Sequence, residues 1–114
     1  MGYDLHITRQ SNWWEKDETK QIAAAEWQAV VASDPEMRLS GAAESTFPSG
    51  GTLRYENPLL TEWLGHPEHE AIWFDFRRGT VIVKNPDEPI IAKMKQLAQK
   101  LNGRVQGDDG EFYD

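Results

Sequence analysis

The sequence predicts an α+β fold, a mainly antiparallel sheet with two helices packed on one of its faces. Three observations carry this expectation. The chain opens on a stretch that alternates apolar and polar residues, its middle holds a strong β-hairpin pattern, and two segments with apolar residues at helical spacing lie either side of that middle. With 114 residues and no internal repeat or long linker, the chain has the size of one domain, 1–114.

Residues 3–8 alternate, so they read as a half-buried strand with Tyr3, Leu5 and Ile7 facing the core and Asp4, His6 and Thr8 sharing the other face. The polar stretch 9–21 reads as a loop around the aromatic pair Trp13-Trp14, which either tucks onto the core or waits for a partner. A helix follows over 23–32, where Ile22, Ala23, Trp27, Val30 and Val31 fall at helical spacing. Asp34-Pro35 ends it, because a residue before proline avoids the helical region. Its start is weak, since Ala23 offers no capping side chain, and Thr19 is the alternative cap for an earlier start.

Short strands are expected around 37–43, 53–55 and 60–64, with Pro48-Ser49-Gly50-Gly51 as a flexible turn between the first two. The clearest element is the pair 72–76 and 80–84 joined by Arg77-Arg78-Gly79, with Ile72, Phe74 and Phe76 facing inward and Trp73, Asp75 and Arg77 outward. Asp87 then caps a second helix with Pro89 in its first turn and Ile90, Ile91, Met94, Leu97, Ala98 and Leu101 in one stripe. Asn102-Gly103 stops that helix, and 104–106 is a short last strand. In this arrangement Asp4, His6, Thr8, Trp73, Asp75 and Arg77 lie on the sheet face away from the helices. That exposed aromatic and polar face is the place for a partner.

The chain carries 12 Lys+Arg against 19 Asp+Glu, a formal net charge of −7. This balance opposes nucleic-acid binding, whose affinity comes from Lys and Arg displacing phosphate counterions, and favours a basic protein partner. The charge is uneven. Residues 55–76 hold Glu56, Glu62, Glu68, Glu70 and Asp75 without a Lys or Arg, and the tail from Gly107 adds Asp108, Asp109, Glu111 and Asp114. Residues 77–104, by contrast, are net basic. The absence of cysteine excludes disulfides, thiolate nucleophiles and thiolate metal sites. No apolar run suits a membrane span and residues 1–6 do not read as a signal peptide, so a cytoplasmic protein without membrane contact is expected.

His66-Pro67-Glu68-His69-Glu70 is the densest ligand-like cluster, a set of types that binds zinc or nickel where it converges. Gly65 and Pro67 place it in a loop, so the expectation is a solvated loop and no metal. His6 paired with Asp4 or Asp75 would suit a general base, but an ordinary surface hydrogen bond is the simpler reading. Asp108-Asp109-Gly110-Glu111 lacks the ligand spacing of a calcium loop and reads as a frayed acidic terminus, with Phe112 and Tyr113 as its anchors. No phosphate-cradling loop precedes a helix and no nucleophile–base set stands out, so neither cofactor nor enzymatic activity is expected. Of the five tryptophans, Trp27 reads as core, Trp73 as a candidate for a binding surface, and Trp13, Trp14 and Trp63 lie between these cases.

The opening Met1-Gly2-Tyr3-Asp4-Leu5-His6-Ile7-Thr8-Arg9, the pairs Glu26-Trp27 and Asp34-Pro35-Glu36, and the closing run from Gly103 to Glu111 resemble a group of small uncharacterised bacterial proteins. These begin with a Tyr-Asp-Leu-x-Ile-Thr-Arg-like strand and end in a Gln-Gly-Asp-Asp-Gly-Glu-like tail, and they loosely resemble the immunity partners of polymorphic or contact-dependent toxins. The resemblance implies a non-enzymatic protein that neutralises a basic toxin domain by binding it. Together with the charge pattern, it makes Glu62, Trp63, Glu68, Glu70, Trp73 and Asp75 the expected contact residues, with Asp108, Asp109 and Glu111 as a second candidate. Two alternatives stay open: a self-associating module that buries the open face in a homodimer, and a small metal-dependent hydrolase using His6, His66 and His69.

Overall fold

A computed structural model of the chain describes residues 3–46 and 48–113; Met1 and Gly2 of the opening motif, and the charge of Asp114, lie outside the described residues. The elements follow in the order β1 (Asp4–Thr8), α1 (Ala24–Ala32), β2 (Met37–Leu39), β3 (Ala42–Thr46), β4 (Thr52–Glu56), β5 (Thr61–Trp63), β6 (Ile72–Arg77), β7 (Thr80–Lys84), α2 (Glu88–Lys100) and β8 (Arg104–Gly107). Six strands form one antiparallel sheet in the order β2-β5-β6-β7-β1-β8, and β3 and β4 form a separate hairpin. The expected single strand over 37–43 is thus two, broken at Gly41, whose φ of +79° turns the chain out of the main sheet. The fold is α+β, as the alternation and the two apolar stripes indicate.

Register explains which face packs. Leu5 pairs with Val83, Ile7 with Val81 and Val105, Phe76 with Val81, and Met37 with Trp63, so these side chains share one side of the sheet. Trp27 and Val31 of α1, and Ile90, Met94, Leu97 and Ala98 of α2, close over them to form the core. The β6–β7 turn is tight because Arg78 (φ 51°) and Gly79 (φ 76°) both adopt the left-handed conformation that matches the strand twist. Asn102 does the same (φ 55°) at the end of α2, where Gly103 N–H returns to Ala98 O at 2.8 Å.

α1 starts at Ala24, not at a Thr19 cap: Glu26 reaches back to accept the Ala23 N–H at 3.1 Å, supplying from the third helical position what alanine cannot. Ala23 itself is exposed, outside the apolar stripe assigned to it. Thr19 instead lies in a 3-10 turn (Glu18–Lys20) capped by Asp17. Lys93 is buried on the core side of α2, where it ion-pairs with Asp34 at the end of α1 and ties the two helices together. Burial pushes the Asp34 carboxyl up, but Lys93 and the Glu36 N–H outweigh it and hold the group below its usual range.

The second sheet face departs from expectation on its β1 side. Asp4, His6 and Thr8 do point away from the helices, yet His6 and Thr8 are only 3% and 1% exposed. The loop after β1 folds back over them. Trp13 stacks on His6 with ring centroids 4.0 Å apart and 3° between planes, and its indole N–H donates to Gly107 O at 3.1 Å. The fully buried Gln106 anchors this cover by accepting from Trp13 N–H (2.7 Å) and donating to Asn12 Oδ1 (3.1 Å) and Gly110 O (2.9 Å).

The tail is not frayed. Gly107 N–H bonds Glu111 O, Gly110 N–H bonds Gly107 O, and Tyr113 N–H bonds Val105 O, so residues 107–113 return along β8 as a hairpin. Gly110, at φ 92°, supplies the left-handed residue this turn needs. Among the described residues, no helix is long and apolar enough to cross a membrane. We expect Trp27→Ala to lower the unfolding free energy by about 3–5 kcal/mol and Trp73→Ala by less than about 1 kcal/mol, as read by urea denaturation.

Candidate functional site

With its β1 and β8 side covered, the second face is open over β5, β6 and β7. Trp73 and Asp75 of β6 alternate outward against Phe74, and Ile82 of β7 lies opposite Asp75. The β3–β4 hairpin walls one side, because Tyr55 Oη donates to Asp75 Oδ2 at 3.0 Å while Asn57 Nδ2 donates to Asp75 Oδ1 at 2.7 Å. Arg77 completes the cluster, with Nε 2.9 Å from Asp75 and its guanidinium over the Tyr55 ring. The result is a groove of about 620 Å³ whose lining includes Tyr55, Trp73, Ile82, Lys84, Asp4 and Asp87. Trp73 and Tyr55 are each 37% exposed. Two half-exposed aromatic rings over a rigid sheet are the kind of anchor that protein interfaces use.

The expected contact residues divide into two groups. Trp63 leaves the surface: it is 6% exposed and packs in the core against Phe74 with Lys93 over its ring. Pairing with Met37 on β2 turns it toward the helices, and its indole N–H is left without an acceptor among the described residues. Glu62 lies on the open side but is largely buried and is bound to Arg38 at 2.7 Å. Asp75 is spent on Tyr55, Asn57 and Arg77. The 55–76 segment therefore does not present an acid-only surface, because the fold brings Arg38, Arg54 and Arg77 to Glu62, Glu56 and Asp75.

Glu68 and Glu70 are exposed on the loop before β6, with no ion pair among the described residues, and Trp73 follows them at the start of that strand. These three remain available together. In the tail, Asp108 accepts the Asp4 N–H and His6 Nε2, each at 2.9 Å, and Glu111 accepts from the hydroxyls of Tyr3 and Tyr113. Among the described tail acids only the Asp109 carboxylate is uncommitted, and β8, which precedes it, lies three strand spacings, about 14 Å, from the strand of Trp73.

His6 and His66 are structural in this geometry, whereas His69 is exposed with its ring tilted against that of His66. His6, expected to bond Asp4 or Asp75 at the surface, is buried and bonds Asp108, which requires its proton on Nε2 and leaves Nδ1 without a partner among the described residues. The expected solvated loop is only partly so, since the His66 ring is fully buried. Its Nδ1 accepts the N–H groups of Glu68 (2.9 Å) and His69 (3.2 Å), while Nε2 is 2.8 Å from Asp87 Oδ2. His66, His69 and Asp87 do present ligand atoms within 4.8 Å of one another. The proton count opposes a metal there. With two N–H groups aimed at Nδ1, the neutral ring must carry its proton on Nε2, and a metal on that atom would need an imidazolate.

Asp87 is thus a doubly used residue: it caps α2 through Ile90 N–H at 3.2 Å and holds the His66 loop. Burial raises its carboxyl, and the His66 and Ile90 hydrogen bonds outweigh that and lower it. Asp108 behaves alike, raised by burial but held low overall by the Asp4 N–H and His6. No family model, curated protein or solved structure matches the chain.

A depressed carboxyl stabilises the fold fully above its unfolded pKa, near 4, and that contribution fades as pH falls through the lower folded value. Asp108→Asn should therefore lower Tm at neutral pH by an amount that narrows as pH drops below about 4. A Tm difference independent of pH in a melting series would contradict this role.

Proposed function

We propose that this chain is a non-enzymatic binding protein whose open sheet face receives a basic protein partner. The observation that carries the reading is the half-exposed Trp73 in a preformed groove, next to a loop whose Glu68 and Glu70 make no ion pair among the described residues. The geometry of the rest supports it: His6, His66 and Asp75 are engaged in internal hydrogen bonds. Trp14, 51% exposed, and Phe112, 37% exposed, lie toward the β8 side, the latter under Arg104. Anchors spread across several strand spacings suit the footprint of a folded protein better than that of a small molecule.

The net charge of −7 speeds encounter with a basic partner, and the buried aromatics slow its release. The most specific form of this reading is an immunity protein that occludes a basic toxin domain, as the likeness of the opening and closing motifs implies. The partner-facing set is revised to Trp73, Glu68 and Glu70, with Tyr55 added and Asp109 at the margin.

The test is capture from the native host at low salt, followed by affinity measurement with the captured partner. A stoichiometric basic protein is expected. Trp73→Ala should weaken its binding by at least about 2 kcal/mol without changing the fold. Glu68→Lys with Glu70→Lys should slow association at low salt and much less at high salt. Unchanged affinity and rate in these variants would remove the face from the interface, and the lack of any partner would remove the reading.

A further inference from the structure

The groove is not uniform along its length. At the Tyr55 end its charges are internally satisfied, with Asp75 bonded to Tyr55, Asn57 and Arg77. At the other end, where β7 runs into α2, two carboxylates retain acceptor capacity. Asp4 sends its N–H to Asp108, but its own carboxylate has no partner among the described residues. Asp87 gives one lone pair to Ile90 N–H and one to His66, while its side chain stays 45% exposed. An ionised carboxylate has about four acceptor sites, so Asp87 can receive more. Trp73 borders the same end through the 69–73 segment.

Among the described residues lining this end of the groove, the one cation is Lys84. It pairs with Asp4 across β1 and β7, and continuing the β6–β7 register from Asp75 and Ile82 places it opposite Trp73. Lys84 is exposed and makes no ion pair among the described residues. Against it stand Asp4 and Asp87, with Glu68 and Glu70 on the adjoining loop, so the local balance is negative. A neutral or anionic group would meet uncompensated carboxylates here; a planar cation would meet an indole face and two acceptors.

We propose that this end of the groove is a subsite for one arginine side chain of the partner, its guanidinium stacked on Trp73 and its N–H groups shared between Asp4 and Asp87. This rests on the reading of the open face as a protein-binding surface. Arginine is favoured over lysine because a planar fork with five donors can stack and bridge two carboxylates, whereas an ammonium is a compact, strongly hydrated charge. Lys84 opposes the incoming charge and so sets the strength of the subsite.

The experiment titrates three probes into the intact protein by two-dimensional NMR: N-acetyl-arginine methylamide, the lysine analogue and the neutral citrulline analogue. The arginine probe should saturate in the millimolar range and shift the Trp73 indole N–H together with the amides of Asp4 and Asp87. Lysine should bind more weakly, and citrulline should leave these signals unmoved. Asp87→Asn keeps a capping side chain and an acceptor for His66, yet it should weaken the arginine probe about threefold, the size of an exposed charge pair.

Lys84→Gln should tighten the probe by a similar factor, a gain that misfolding cannot imitate. Equal shifts with citrulline, absence of shifts at Trp73, or a Lys84→Gln variant that binds no better would overturn the subsite. Those outcomes leave the wider interface to be judged separately by the Trp73→Ala affinity for the whole partner, so the two readings fail independently.

Discussion

The stack of Trp13 on His6 decides what the rest of the molecule can present. A six-stranded sheet with both helices on one side leaves a second side that must be covered, solvated or used. Here the loop after β1 covers half of it. Gln106 makes the cover possible, because its amide oxygen and both amide protons are engaged by the Trp13 and Asn12 segment and the tail turn at Gly110. A buried amide satisfied in this way is rigid, and leaving any one of its partners unmade costs more than the bond contributes. The open half, over β5 to β7, is what remains, and its boundary is set by these contacts.

The tail belongs to the same construction. Its Asp-Asp-Gly run is acidic in composition but serves as a hairpin turn, with Asp108 reaching beneath Trp13 to His6 and to the start of β1. Phe112 and Tyr113 pair back along β8, which removes the sheet edge that strand would otherwise expose. At the opposite edge, β2 is only three residues long, a poor template for another chain. Both edges of the six-stranded sheet are thus blunted.

Much of the fold was legible where local pattern and burial agree. The alternation of Ile72, Trp73, Phe74, Asp75 and Phe76, the Arg78-Gly79 turn, and the α2 stripe from Ile90 to Leu101 each follow from periodicity and turn chemistry, and each stands where expected. Legibility failed where a distant segment overrode the local pattern. Alternation places His6 and Thr8 on a polar face, but Trp13 stacks on His6 and buries it, held there by Gln106 and Gly107 from the far end of the chain. Trp63 was misplaced because a three-residue strand gives too little pattern to choose a side. The acid-only run at 55–76 was a property of the sequence and not of the surface, since Arg38 is brought beside Glu62 by the pairing of β2 with β5. Of the candidate face, Trp73, Glu68 and Glu70 are exposed as the sequence suggests, whereas Tyr55, Asp4 and Asp87 join the groove through tertiary structure alone.

Ion pairs and buried hydrogen bonds tie loops and tail to the sheet, and Trp73, Glu68 and Glu70 stand exposed on the open side. Side-chain footprinting of the free protein and of the protein bound to the basic partner proposed for it, using hydroxyl radicals and mass spectrometry, tests the proposed interface most directly. The account predicts that Trp73 and Tyr55 lose reactivity in the complex while the outer surfaces of α1 and α2 do not. Protection confined to the helical layer, with Trp73 as reactive as before, would contradict it.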